Sequence, residues 1–188
     1  LNDQRHVVFS QRKNAMNSQN IFEYSNEFLK EIIQDVIKLK IHKLSNPQNN
    51  EFNNRLKQIV GKSFTEKEME ALILANDNEL TKKITTKFDE SRNERIKILG
   101  EDHAQEIEKR IFLQSIDLNW KSHIQYLEQL RQVIGLRSYG QRDPLIEYKK
   151  EAFDLFSNLL EKLKLDFVTI LINLKVVKQE EQPTNGVK

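Results

Sequence analysis

Apolar side chains recur every three or four positions along most of this sequence, and the recurrence breaks at a few polar or glycine-bearing points. Between residues 21 and 44 they fall at Phe28, Ile32, Val36 and Leu39, with Leu29, Ile33 and Ile37 beside them. That spacing predicts a helix with a broad apolar stripe. Ser45-Asn46-Pro47 ends it, because a proline disfavours helical backbone in the residue before it. Ahead of it, residues 1–16 are helix-compatible but open without a capping signal, as the tail of a helix begun upstream would. Asn17-Ser18-Gln19-Asn20 then offers a break and a fresh N-cap.

A polar loop at 48–50 leads to a short predicted helix carrying Phe52, Leu56 and Ile59, closed by Gly61. Thr65 followed by Glu68 has the spacing of a capping box: the hydroxyl accepts from the third helical amide while the carboxylate reaches back. The helix it starts should run to about Ala75. Asp77 and Asn78 start another, with Leu80, Ile84, Phe88, Ile96 and Leu99 on roughly one side, and Gly100 is a bend or cap after it.

The last third is the most regular. Ile107, Ile111, Ile116, Trp120, Ile124, Leu127, Leu130 and Ile134 form one long stripe; after Pro144, the residues Tyr148, Ala152, Leu155, Leu159, Leu163, Phe167, Ile170 and Leu174 form another. Each predicts a helix of roughly 30 residues, ~45 Å long at ~1.5 Å per residue. Between them lies a loop with two glycines, 135–144, short enough to fold the helices back antiparallel. The loop is thereby carried at the tip of a helical finger. After residue 177 the chain turns polar, as a linker or frayed tail would.

Composition narrows the function. Five Gly and three Pro in 188 residues leave few turn-formers, which supports an all-α fold. Lys and Arg total 30 against 28 acidic residues, and so small a net charge, +2, argues against a dedicated nucleic-acid binder, which usually shows a concentrated basic face. Zero cysteines exclude disulfides, thiolate metal sites and a cysteine nucleophile. The most apolar stretch, 165–177, is interrupted by Asp166, Asn173 and Lys175, and is read as a buried helix and not a membrane span. Leu1 is not an initiator Met, and no leader pattern follows it, so a segment of a longer protein is expected.

Candidate chemistry is sparse. No glycine-rich run followed by Lys and Ser or Thr exists to cradle phosphate, so neither ATP nor magnesium is expected to bind here. His103 has Glu106 one turn on, but no second such pair repeats it as a helical-bundle metal site requires. His123, near Asp117 and Trp120 on one helix, reads either as half of an acid–base dyad or as a hydrogen-bonded histidine in a packing seam. Asp117 and Lys121 have the spacing of a helix-surface pair. The predicted tip is basic, with Arg131, Arg137, Arg142, Lys149 and Lys150 against Glu128, Asp143 and Glu147. Tyr139, between Ser138 and Gly140, has little local core to join; it either packs back on its hairpin or serves as a contact.

These residues carry a resemblance. The run 113–123 (LQSIDLNWKSH), then Leu130-Arg131-Gln132, then 136–144 (LRSYGQRDP), then 147–153 (EYKKEAF), resembles the two-helix finger of the SecA preprotein translocase family. The opening Leu1-Asn2-Asp3-Gln4-Arg5, with Ser10-Gln11-Arg12, resembles the end of the family's long scaffold helix. The resemblance implies an all-α fold of long scaffold helices with an antiparallel two-helix finger and an inserted small helical wing. It assigns 1–17 to the scaffold helix, 18–100 to the wing and 101–178 to scaffold and finger, leaving 179–188 as a tail. It further implies that Leu136, Arg137, Ser138, Tyr139, Gly140 and Gln141 form the polypeptide-contacting tip, with Trp120, His123 and Tyr148 building the finger. Its implied partners are the SecYEG channel, unfolded preprotein and the motor domains of the same parent chain. ATP and magnesium would belong to those domains, which act in the cytoplasm at the inner-membrane surface. Val133 departs from the family's Arg-Gln-Gly-Ile run, which lets the first finger helix extend further, and the zinc-binding tail of many members is missing. Two other readings of the residues are a stand-alone helical adaptor that grips a partner helix and a nucleic-acid-binding hairpin.

Overall fold

The structure, a computed structural model, describes residues 1–135 and 143–176. Among the described residues the chain forms seven α-helices and no strands: α1 (Asn2–Asn17), α2 (Ile21–Ser45), α3 (Glu51–Val60), α4 (Glu66–Leu74), α5 (Asp77–Leu99), α6 (Glu101–Ile134) and α7 (Pro144–Asn173). The all-α architecture read from the sequence is the one observed.

Local chemistry sets the boundaries. The Asn20 side chain accepts from the Phe22 amide and starts α2. Thr65 and Glu68 close a full capping box on α4, and Asn76 with Glu79 closes a second on α5. Backbone and side-chain hydrogen bonds from Thr65 hold the Glu68 carboxyl below its usual pKa. Gly100 adopts a φ of +84°, which side chains rarely tolerate, and it serves both as C-cap of α5 and as N-cap of α6. Gly61 closes α3 in ordinary helical backbone, at φ −62°, so its role differs from that of a left-handed cap. A Cβ there would stand 2.3 Å from the Lys57 carbonyl oxygen, and glycine is needed for that close approach.

One contiguous core joins α1, α2, α3, α4, α5 and the adjoining parts of α6 and α7. Its centre is a ring cluster: Phe112 of α6 lies 4.9 Å from Phe167 of α7 and 5.5 Å from Phe28 of α2, centroid to centroid. Each such side chain contributes roughly 1.5–3 kcal/mol on full burial. The stripe of α2 is buried as its period requires, from Phe28 through Leu29, Ile32, Ile33 and Val36.

On α7 the buried face widens near its end. Leu165, Phe167, Val168, Leu171 and Ile172 are all buried, while Ile170, placed on the stripe by its spacing, faces outward. The reason is packing: this part of α7 meets α2, α3 and α5 as well as α6, so more than one side of it is covered. Of the apolar stretch 165–177, residues 165–173 form the buried helix expected there and 174–176 leave helical backbone, and no described helix is long and apolar enough to cross a membrane.

Candidate functional site

The hairpin of α6 and α7 carries the sequence-derived site. The two helices run antiparallel, and beyond the main core they share a small cluster of Leu127, Leu130, Ile134 and Ala152, with Tyr148 and Leu155 packed against it. Helix α6 continues unbroken through Val133 to Ile134. Asp143 caps α7 by accepting from the Leu145 amide at 2.8 Å, and Pro144 follows at the first turn, where its missing N–H costs nothing. Helix α6 thus ends at Ile134 and α7 begins at Pro144. The six residues expected at the tip, Leu136, Arg137, Ser138, Tyr139, Gly140 and Gln141, lie outside the described residues.

Next to that loop the helices expose apolar side chains that periodicity did not single out. Leu145, Ile146 and Phe153 of α7 are each more than half exposed, as is Tyr126 of α6, and Val133 is 45% exposed. The signal was in the sequence. Ile146 and Phe153 fall off the Tyr148–Ala152–Leu155 stripe, so a helix that buries the stripe must present them elsewhere, whereas Leu145 continues its spacing one turn before Tyr148 and is exposed all the same. An open groove of about 340 Å³ follows the same hairpin, lined by Leu118, Ser122, Tyr126, Leu155 and Leu159 among others.

Helix α1 braces the hairpin. Gln4 donates from Nε2 to the Ala152 carbonyl of α7 at 3.1 Å, which turns its Oε1 toward His123 Nε2 of α6 at 3.0 Å. Because the amide oxygen can only accept, His123 carries its proton on Nε2. His123 is 4% exposed, and burial pushes its pKa below the usual 6.5. Among the described residues no carboxylate serves it. Asp117 is instead taken by Arg12, whose Nε and Nη2 bond its two oxygens at 2.9 and 3.3 Å, and that bond raises the Arg12 pKa. The His123–Asp117 dyad is therefore not formed, and Arg12 replaces Lys121 as the partner expected for Asp117.

Trp120 is half-buried and not enclosed between helices. It meets Phe9 edge-on at 6.5 Å and His123 at 5.6 Å, on the flank where α1 lies. The centre of the buried face is displaced one step around α6, to Glu108, Phe112, Ser115, Asn119, His123 and Leu127. Among the described residues no three His, Cys, Asp or Glu side chains gather as a metal would need.

The sequence profile described as the SecA Wing and Scaffold domain matches residues 1–175. The chain is 66% identical over 182 residues to the protein translocase subunit SecA of Pelagibacter ubique, an alignment covering 97% of this chain and 21% of that protein. It is 35% identical over 185 residues to the subunit of the same name from Caulobacter vibrioides, covering 97% and 20%. With that of Aquifex aeolicus it shares 34% over 184 residues, covering 96% and 18%. The chain thus spans about a fifth of the length of the curated relatives it matches. A helical brace, an antiparallel hairpin and a profile match that runs through all seven described helices agree, and the chain belongs to the SecA Wing and Scaffold family.

Proposed function

We propose that this chain is the polypeptide-handling part of a SecA-type protein translocase, and that its finger passes the force of an ATP-driven motor to a preprotein. The observation that carries this reading is a hairpin which outreaches the main core, offers exposed apolar side chains beside its loop, and belongs to a family whose curated relatives are named protein translocase subunits. Residues 1–17 and 101–178 serve as scaffold and finger, 18–100 as wing, and 179–188 as tail. Nucleotide chemistry belongs to the remainder of the parent protein, so this segment needs neither ATP nor magnesium. Its partners are the preprotein, the SecYEG channel and the parent's motor domains, in the cytoplasm at the membrane surface.

The tip, residues 136–141, does its work with Tyr139. A phenol offers apolar area and a hydroxyl to whatever sequence passes, which suits a substrate that changes residue by residue. Leu145, Ile146 and Phe153 widen that contact surface without adding any specific polar partner. Such contacts are individually weak, so the chain can be released as easily as it is engaged.

The test is Tyr139→Ala in the full-length translocase, read as preprotein import into membrane vesicles. Import falls, while the same change in the 188-residue chain moves stability by no more than about 0.5 kcal/mol, as surface substitutions do. A bulky aromatic replacement retains most import. Normal import by Tyr139→Ala would remove the tip from the mechanism.

A further inference from the structure

The apolar stripe of α5 ends unexpectedly. After Leu80, Ile84 and Phe88, the next two buried positions are Arg92 and Arg95, which are 7% and 1% exposed. Both guanidinium groups converge on Glu108 of α6, which is fully buried. Arg92 meets its two carboxylate oxygens at 3.1 Å each, and Arg95 Nη2 meets one of them at 2.9 Å. The remaining capacity is used on other helices. Arg92 donates to Ser25 Oγ at 2.6 Å and Asn26 Oδ1 at 2.7 Å, both on α2, while Ser25 donates on to Glu108 at 3.0 Å. The faces of the Arg92 guanidinium lie against Phe22 and Phe88, 4.3 and 4.7 Å from their centroids.

Two cations against one carboxylate leave an excess of positive charge in a buried site, and desolvation lowers the Arg95 pKa accordingly. The C-terminus of α7 supplies the balancing potential. Arg95 Nη1 donates to the Leu171 carbonyl at 2.8 Å, and Ser91 Oγ donates to the same carbonyl at 2.9 Å. Helix α7 has no basic residue of its own in the last turn, so the negative end of its dipole is met by the arginine of α5. The Nε of Arg95 is buried without a hydrogen-bond partner among the described residues. A buried donor left unmade is costly, so packing alone does not account for an arginine at this position.

We propose that Arg92, Arg95 and Glu108 are positioning residues that clamp the roots of both finger helices to the wing and thereby set the direction in which the finger points. One arginine pair holds α6 through a side chain in its second turn and α7 through a carbonyl in its last. The hairpin root cannot pivot without breaking charge-assisted bonds between buried groups. The wing therefore acts as the finger's anchor. This inference rests on the geometry of the root and stands whether or not the tip touches a preprotein.

The chain has no cysteine, so Lys67→Cys on α4 and Gln129→Cys on α6 give two unique spin-label sites. In that background the wing-to-finger distance distribution is narrow. The triple variant Arg92→Met, Arg95→Met, Glu108→Leu replaces the ionic groups with apolar side chains, an exchange that commonly preserves the fold. The expected result is a cooperatively melting helical protein whose distance distribution broadens or acquires a second maximum. A folded triple variant with an unchanged distribution overturns the proposal. Should the triple variant fail to fold, Arg95→Lys decides the matter by amide hydrogen exchange. Clamping predicts about tenfold faster exchange at 104–112 and 168–173, with 123–134 unaffected. Uniform acceleration, or none, overturns it.

Discussion

The root and the arm of the α6–α7 hairpin are built from the same two helices yet held by different means. At the root, α1, α2, α3 and α5 surround the hairpin, and Phe112 and Phe167 pack on Phe28 in a shared core. Beyond the Gln4 bond to Ala152, the helices hold mainly each other, through Leu127, Leu130, Ile134 and Ala152. A side chain in the root is enclosed from several directions and has nowhere to move. One in the arm has a partner on one side and solvent nearby. Enclosure therefore falls from root to arm, and Tyr126, Leu145, Ile146 and Phe153 lie exposed on the arm.

The sharpest way to break this contrast is to delete a ring in the root. Phe112→Ala should cost roughly 3–5 kcal/mol, because the void is walled by several helices that cannot all close on it. In the arm, Leu130→Ala should cost about 2 kcal/mol, near the lower end for such truncations, since two helices can approach each other. Denaturant melts of the two variants check the ordering; equal losses would erase the distinction between root and arm.

Acid should act at the junction between them. The folded state lowers the pKa of His123, so the unfolded chain binds a proton more readily and stability falls as the pH drops through the usual histidine value of 6.5. His123→Gln should flatten the pH dependence of the melting temperature below about pH 7, and a slope that is unaltered would place the responsible group elsewhere. The smallest effect belongs to the outer brace. Arg12 and Asp117 are 33% and 57% exposed at the side chain, so Asp117→Asn should cost only about 0.2–1 kcal/mol, less still in high salt. A loss as large as that of Leu130→Ala would make the Arg12–Asp117 pair a structural part of the root.

Much of the root was legible from local chemistry. Asn20, Thr65 with Glu68, and Gly100 punctuate the chain as their capping preferences dictate, and Phe28, Ile32 and Val36 or Leu80, Ile84 and Phe88 are buried at helical spacing. What escaped notice was polar. Arg92 and Arg95 continue the α5 stripe, but an arginine at such a position looks like a solvated face until its partner is known, and Glu108 lies on a different helix. The same limit displaced the α6 face. Ser115, Asn119 and His123 occupy its buried centre because α1 and α7 bring hydrogen-bond partners or cover to them, and spacing counts only apolar residues. The finger itself was visible as two long stripes around a glycine-bearing loop, and the exposed Leu145, Ile146 and Phe153 were visible only as residues that no stripe used.

Gly100 carries a consequence for how this region tolerates change in length. It is the one residue between α5 and α6, so the two helices share a rotational phase with no slack to absorb an error. Adding or removing a single residue between Arg95 and Glu108 would turn one helix about 100° relative to the other and swing the carboxylate out of reach of both guanidinium groups. The loop at 46–50, between α2 and α3, has several residues of slack to absorb an added one, so Phe52 and Leu56 of α3 can keep their places in the core. Insertions and affinity tags should therefore be accepted at 46–50 and rejected around residue 100, which gives a practical rule for where this scaffold can be cut, lengthened or fused.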